Sequence, residues 1–255
     1  MKTNDNFSNK PPILIIGATS GIAHAFSLEA AKKGHPLILA GRDLKKIQLT
    51  ATDLEIRTDA NIMACLSFDA LKHEDHFTFM TKVLQHAPEL EGCFVACGVM
   101  FDQKQCESDF SLTLETITCN YLGMVSILNL LANHFEKKKK GFISCVTSVA
   151  GDRGRQSNYI YGSSKAAMNA YLEGLRNRLF SSHVLVQTVK AGPTDTPMTK
   201  GMKNLPFLAP PETLAKDIWK AILQKKDIVY TPRIWQYLML IINHIPEWFF
   251  KRMKL

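Results

Sequence analysis

Three side chains between residues 141 and 165 have the types and spacing for proton transfer at a carbonyl or alcohol oxygen. The stretch reads GFISCVTSVAGDRGRQSNYIYGSSK, and its apolar run, Phe142–Val146, predicts a short buried strand. Ser148 lies just past that run, Tyr161 follows thirteen residues later, and Lys165 lies four further on. Residues 161–178 carry a helical pattern, so the phenol and the ammonium share one face. A cation beside a phenol favours the phenolate, and such a tyrosine can exchange a proton with an oxygen near neutral pH. Ser148 would hold that oxygen by a hydrogen bond. A tyrosine and a lysine at this spacing also occur in ordinary amphipathic helices, so the assignment depends on what the rest of the chain builds around them.

The elements that must position these groups begin at ILIIG, residues 13–17, which runs into GATSGIA, residues 17–23, and a helical pattern to Lys33. This is strand, glycine turn, helix. Gly17 suits the tight turn and Gly21 the close approach of a bound group. Thr19, Ser20 and the N–H groups at the helix start, that of Ile22 among them, are placed to hold a pyrophosphate. A second strand, 35–40, ends at Gly41–Arg42–Asp43. Gly41 offers no carboxylate to ribose hydroxyls, whereas Arg42 offers a guanidinium suited to a 2′-phosphate. Asp43 blurs this preference with a nearby carboxylate, or instead caps the helix beginning near Leu44. NADPH is the expected cofactor, with NADH as the alternative.

A third strand, 61–70, ends in Asp69 and Ala70, where a carboxylate would accept from an adenine amine. A fourth, Cys93–Cys97, leads into Gly98, and small residues at Ala96–Gly98 would admit a cofactor against the backbone. Asn120 lies in a mostly helical stretch, 107–135, where a buried amide needs a partner. One role for it is to hold a water beside Lys165; a local backbone contact is the other. Residues 183–189 and 226–232 predict two more strands. Between them Gly192, Thr194 and Thr196 are placed for the nicotinamide amide or the pyrophosphate. Met198–Leu208 reads as a lid that Gly201 frees and Pro210–Pro211 stops.

Strands alternate with helices throughout, so an α/β fold with a doubly wound parallel sheet is expected as a single domain over 13–232. A flexible leader, 1–12, would precede it, and a hydrophobic, amphipathic helical extension, 233–255, would follow. The 255 residues, 46% hydrophobic, suffice for one core. The formal charge of +8 suits phosphate, nucleic acid or anionic lipid, but no zinc-finger or RNA-binding signature supports a nucleic-acid partner. Lys137–Lys140 reads as a solvated helix end. Six cysteines without a secretion-signal pattern read as free thiols in the cytoplasm. His73 and His76 lack further ligands, so no metal site is expected. From Ile234 the chain reads IWQYLMLIINHIPEWFFKRMKL, with an apolar run too short to span a bilayer. Trp235, Trp248, Phe249 and Phe250 beside Lys251, Arg252 and Lys254 suit peripheral contact with the inner face of the cytoplasmic membrane. Packing on the sheet edge or on a second subunit is the other reading.

The Gly17–Ala23 turn, Asn120, Ser148, Tyr161 and Lys165 together resemble the short-chain dehydrogenase/reductase family over about residues 12–232. The resemblance implies a Rossmann-type fold, homo-oligomers and a nicotinamide cofactor. It implies Tyr161 as acid/base, Lys165 supporting it and binding the nicotinamide ribose, Ser148 orienting a carbonyl, and Asn120 maintaining a proton relay. Three family positions depart: Ala23 replaces a glycine, Ala96–Cys97–Gly98 replaces Asn-Ala-Gly, and Ala191–Gly192 replaces Pro-Gly. Residues 150–175, 95–98 and the tail from Val229 are similar, more narrowly, to reductases of a 2-keto pentose carried on a polyprenyl phosphate, which work with a partner flavin oxidase. Arg153 and Arg155 would then meet the phosphate. The activity this implies is NADPH-dependent reduction of a lipid-linked keto-sugar. The alternatives are reduction of a soluble or lipophilic ketone (fatty acyl, steroid or xenobiotic), alcohol oxidation on NAD, and a nucleotide-binding scaffold without turnover.

Overall fold

Strand β1 (Ile13–Ile16) is wholly apolar and buried at every position, the pattern of a strand covered on both faces. The computed structural model describes residues 10–202 and 205–253; most of the expected leader, residues 1–9, lies outside them, as does Lys254. After β1 come α1 (Gly21–Lys32), β2 (Leu37–Gly41), α2 (Leu44–Thr58), β3 (Ile62–Ser67), α3 (His76–His86) and β4 (Gly92–Val95). Then follow α4 (Gln103–Ser108), α5 (Phe110–Ile117), α6 (Gly123–Lys138), β5 (Phe142–Ser148), α7 (Tyr159–Leu179) and β6 (Leu185–Ala191). The chain closes with α8 (Pro211–Leu223), β7 (Ile228–Thr231), α9 (Ile234–His244) and α10 (Glu247–Phe250).

The strands form one parallel sheet in the order β3-β2-β1-β4-β5-β6-β7. One face packs on α1, α2 and α8 around Phe26, Leu54 and Ile218. The other packs on α3, α6 and α7 around Val83, Leu128, Phe135 and Leu172. Because β1 pairs with both β2 and β4, the connections diverge there and open a crevice at the strands' C-terminal ends. Phe26 stacks on Phe94 with ring centroids 4.0 Å apart, which fixes α1 against β4 beside that crevice.

The doubly wound sheet is the fold expected from the alternation, but the C-terminal part of that expectation is corrected. Among the described residues, the one helical stretch long and apolar enough to cross a membrane is Phe110–Lys138, in the middle of the chain rather than at its C-terminus. Its α6 segment lies in the core, burying Met124, Ile127, Leu128, Leu131 and Phe135. The residues after β7 are no such helix: they fold back as the short α9 and α10, with Trp235 and Met239 buried against Val149. Hydropathy reads alike for a core helix and a lipid-facing one, so only the packing separates them.

Several strand ends also move: β4 stops at Val95 rather than Cys97, and β5 runs on to Ser148 itself. β3 stops at Ser67 because its partner β2 ends at Gly41, the residue opposite, which leaves Asp69 and Ala70 in a turn. β6 runs to Ala191 because β5 continues alongside it to Ser148. The six cysteines are free thiols. In the basic run, Lys138 and Lys140 pair with Glu89 and hold its carboxyl at about 2.

Candidate active site

Ser148 ends β5 directly opposite Ala191 of β6, so it stands at the C-terminal end of the sheet's strands, across from the residue before Gly192. Its Oγ accepts a hydrogen bond from Ala150 N at 3.1 Å, which closes the turn Val149–Gly151 and leaves the hydroxyl proton available to donate. Helix α7 is seated on this turn through two glycines. A Cβ on Gly162 would lie 2.8 Å from Ala150 O, and one on Gly151 would lie 2.7 Å from the carbonyl carbon of Lys165. Tyr161 and Lys165 are thereby carried to the serine turn. Lys165 is 5% exposed, its Nζ lies 5.6 Å from the centroid of the Tyr161 ring, and among the described residues it enters no ion pair.

Asn120 reaches the same cluster by a local irregularity. Between α5 and α6 the backbone makes a π turn, Thr118–Leu122, which places Asn120 inward at 1% exposure. Its Oδ1 accepts from Val99 N at 2.8 Å, and its Nδ2 donates to Val99 O at 2.9 Å and to Ser164 Oγ at 3.0 Å. The amide therefore ties the exit of β4 to α7. A Cβ on Gly98 would lie 3.1 Å from Asn120 Oδ1 and 3.2 Å from Lys165 Nζ, so that glycine keeps the space before both groups open. Burial pushes the neighbouring Cys97 thiol up to about 12, which removes it as a nucleophile.

Gly17 has φ +83°, and a Cβ there would lie 2.7 Å from Ala96 O, so the turn admits glycine alone and rests on β4's exit. Ser20 caps α1, its Oγ accepting from Ala23 N at 3.2 Å, while Thr19 is exposed and Ile22 half-buried at the helix start. Thr196 Cγ2 lies 3.0 Å from the position of a Gly21 Cβ, which brings the loop after β6 onto the glycine turn. Thr194 donates to Gly192 O at 3.0 Å and Thr196 to Thr194 O at 3.3 Å, so both hydroxyls have local partners. Gly192 itself lies under the indole of Trp235. Ala70 is buried, its carbonyl where a Gly123 Cβ would fall, so α6 starts against it.

At the far end of the crevice Arg42, exposed and unpaired among the described residues, lines a cavity of about 150 Å³ with Ser67, Asp69, Lys72 and His76. Asp43 does not enter it: its carboxylate caps α2 by accepting from Lys46 N at 3.1 Å. Asp69 Oδ1 accepts from Leu71 N at 3.0 Å. Lys72 and His76 escaped the sequence reading, because nothing in the chain signals that the turn after β3 folds beside Arg42. Gly151 and Gly162 escaped it too, since a glycine's neighbours across the fold leave no local pattern. Arg153 and Arg155 are placed elsewhere than expected. Arg153 donates to the carbonyls of Ile242 and Ile245, and Arg155 lies against Met239 Sδ at 3.2 Å.

The family described as short chain dehydrogenase matches residues 12–204. An uncharacterised oxidoreductase of Mycobacterium tuberculosis is 27% identical over 243 residues, covering 95% of this chain and 96% of that one. Among solved structures, a short-chain dehydrogenase from Sphingobium yanoikuyae in complex with NADPH superposes with a TM-score of 0.78 at 21% identity, covering 93% of this chain and 97% of that one. A bulky-bulky ketone specific alcohol dehydrogenase from Comamonas testosteroni has a TM-score of 0.78 at 20% identity, with 94% and 96% covered. At these identities the two structures carry the fold.

Proposed function

The chain belongs to the short chain dehydrogenase family of NAD(P)-dependent oxidoreductases, and we propose that within it this protein is an NADPH-dependent carbonyl reductase acting on a lipophilic ketone. The observation that carries the reading is the seating of α7 on the serine turn through Gly151 and Gly162. It brings the backbone of α7 at Gly162 and Lys165 against the turn that Ser148 opens, at the C-terminal ends of β5 and β6. The residues present fit the cofactor. Lys165 is a buried ammonium that, among the described residues, has no ion pair and lies beside the open space at Gly98, and Arg42 and Lys72 are cations in the cavity at the other end. Arg42 would hold the 2′-phosphate, the turn from Gly17 to Ile22 the pyrophosphate, and Lys165 the nicotinamide ribose. NADPH, when bound, supplies the hydride.

The chain's own groups do the rest. Ser148 Oγ, oriented by the Ala150 N–H, donates to the substrate carbonyl oxygen. Tyr161 delivers a proton to that oxygen as the carbonyl becomes an alcohol. The Lys165 ammonium steadies the resulting phenolate by charge until a proton returns from solvent. Exposed apolar residues after β6 support the substrate class: Met198, Met202, Phe207 and Leu208 are exposed, and Phe207 lies 6.2 Å from the Trp235 ring that covers Gly192. The Comamonas enzyme's name, for bulky ketones, is a parallel. The narrower reading takes a 2-keto pentose on a polyprenyl phosphate, the substrate of the reductase component of decaprenylphosphoryl-ribose 2-epimerase. It has against it that Arg153 and Arg155 are engaged by α9, so the broader class is preferred.

The test is NADPH consumption against a steroid ketone, a long-chain keto ester, a small water-soluble ketone and a polyprenyl-phosphate keto-pentose. Turnover is expected on the steroid ketone and the keto ester, with higher kcat/KM for NADPH than for NADH. Activity confined to the keto-pentose, or alcohol oxidation on NAD alone, would overturn the reading. Gly162→Ala checks the carrying observation. Its methyl group must push α7 off Ala150 O, so we expect a loss of about 1–3 kcal/mol in stability. Displacing Tyr161 should also lower kcat by up to roughly 10²-fold. Denaturant melts and steady-state kinetics read both, and wild-type kcat in this variant would deny the glycine its positioning role.

A further inference from the structure

Helix α9 has two faces. Trp235 and Met239 are buried inward on Val149, directly after Ser148. Tyr237, Leu240 and Ile241 point outward at helical spacing, with Ile241 65% exposed. After Pro246, α10 adds Trp248, 61% exposed, and Phe249, their ring centroids 5.9 Å apart. Phe207, itself exposed, stands 6.2 Å from the Trp235 ring and so adjoins α9. The result is one apolar surface beside the mouth of the candidate active site.

Arg153 fixes that surface in place. From the loop after the serine turn, its Nη1 donates to the carbonyls of Ile242 and, at 2.7 Å, Ile245, capping the C-terminus of α9. Its Nη2 pairs with Glu247 at 3.1 Å, and its guanidinium lies 3.8 Å from the centroid of the Phe250 ring. Glu247 is the single carboxylate between residues 233 and 253 and is taken up internally. Arg233, Lys251 and Arg252 are exposed and, among the described residues, enter no ion pair. The apolar face is thus flanked by unbalanced positive charge.

We propose that this face, formed by α9, α10 and Phe207, docks on an anionic lipid bilayer and lets a lipophilic ketone pass from the membrane into the site. The second half rests on the substrate class proposed above; the docking itself does not. Charge complementarity selects the occupant. Two copies meeting through this face would oppose Arg233, Lys251 and Arg252 to themselves, whereas anionic headgroups neutralise them. Helices of eleven and four residues cannot span a bilayer, so they would lie in its interface with Trp248 at headgroup depth.

The test is flotation of the full chain with vesicles of phosphatidylglycerol and phosphatidylcholine, set against phosphatidylcholine alone. Binding is expected to the anionic vesicles only. It should weaken at least about 25-fold in the double variant Lys251→Glu/Arg252→Glu, each lost cation alone being worth roughly fivefold and each added carboxylate repelling the headgroups further. It should be lost in Trp248→Ser/Phe249→Ser. Both variants should keep wild-type NADPH affinity by fluorescence titration, which shows them folded and separates this proposal from the assignment of the substrate. No binding to anionic vesicles, or binding indifferent to these variants, would overturn it. So would light scattering that shows a dimer dissolved by Trp248→Ser/Phe249→Ser, which would assign the face to a second copy.

Discussion

Tyr161→Phe is expected to cut kcat roughly 10³-fold, about 4 kcal/mol in the barrier, the scale of a lost general acid. The substitution removes one oxygen and nothing else of consequence. Among the described residues the Tyr161 hydroxyl makes no hydrogen bond, so the fold loses none with it. The ring remains beside Lys165 Nζ, and the turn at Gly17 and the cavity at Arg42 are untouched. NADPH binding should therefore stay within about threefold of wild type, read by fluorescence titration, while turnover collapses. A variant that retains wild-type kcat would remove Tyr161 from the chemistry. One that loses both turnover and NADPH affinity would make the tyrosine a cofactor-positioning group instead.

The second large effect is on cofactor choice. Arg42 follows Gly41, the last residue of β2, and lines the cavity with Asp69 and Lys72. A guanidinium there grips a 2′-phosphate with charge-assisted hydrogen bonds, each worth about 1.5–3 kcal/mol. Arg42→Asp exchanges that grip for repulsion and offers ribose hydroxyls a carboxylate acceptor. We expect NADPH affinity to fall at least about 10²-fold and NADH affinity to rise, inverting the preference. Arg42 has no ion pair among the described residues, so the exchange breaks no salt bridge. Titration of both cofactors against both proteins decides it. An unchanged ratio would shift the phosphate to Lys72, the other cation of the cavity.

Much of the arrangement is local chemistry and was readable as such. The alternation of apolar strands with helical patterns dictates a parallel sheet, because each strand must be buried on both faces and each crossover needs a helix. The glycine turn at Gly17, the cap at Asp43, and Ser148, Tyr161 and Lys165 follow from spacing within a few turns of chain. What depends on distant contacts was not readable. The π turn that turns Asn120 inward has no local signature. Gly151 and Gly162 matter only because α7 lies on the serine turn, 2.7–2.8 Å from where their side chains would begin. Lys72 joins Arg42 only once β3 stops at Ser67. Hydropathy could not say that the long apolar stretch is Phe110–Lys138, whose α6 segment lies in the core, while the apolar C-terminus is two short helices of which α9 folds onto Val149. Arg153 shows the same limit. A cation near a catalytic loop reads as a ligand for phosphate, until the fold brings the carbonyls of Ile242 and Ile245 to it and supplies a partner from its own backbone. Spacing along the chain determines which groups can act together; the packing of distant segments decides which of them are already spoken for.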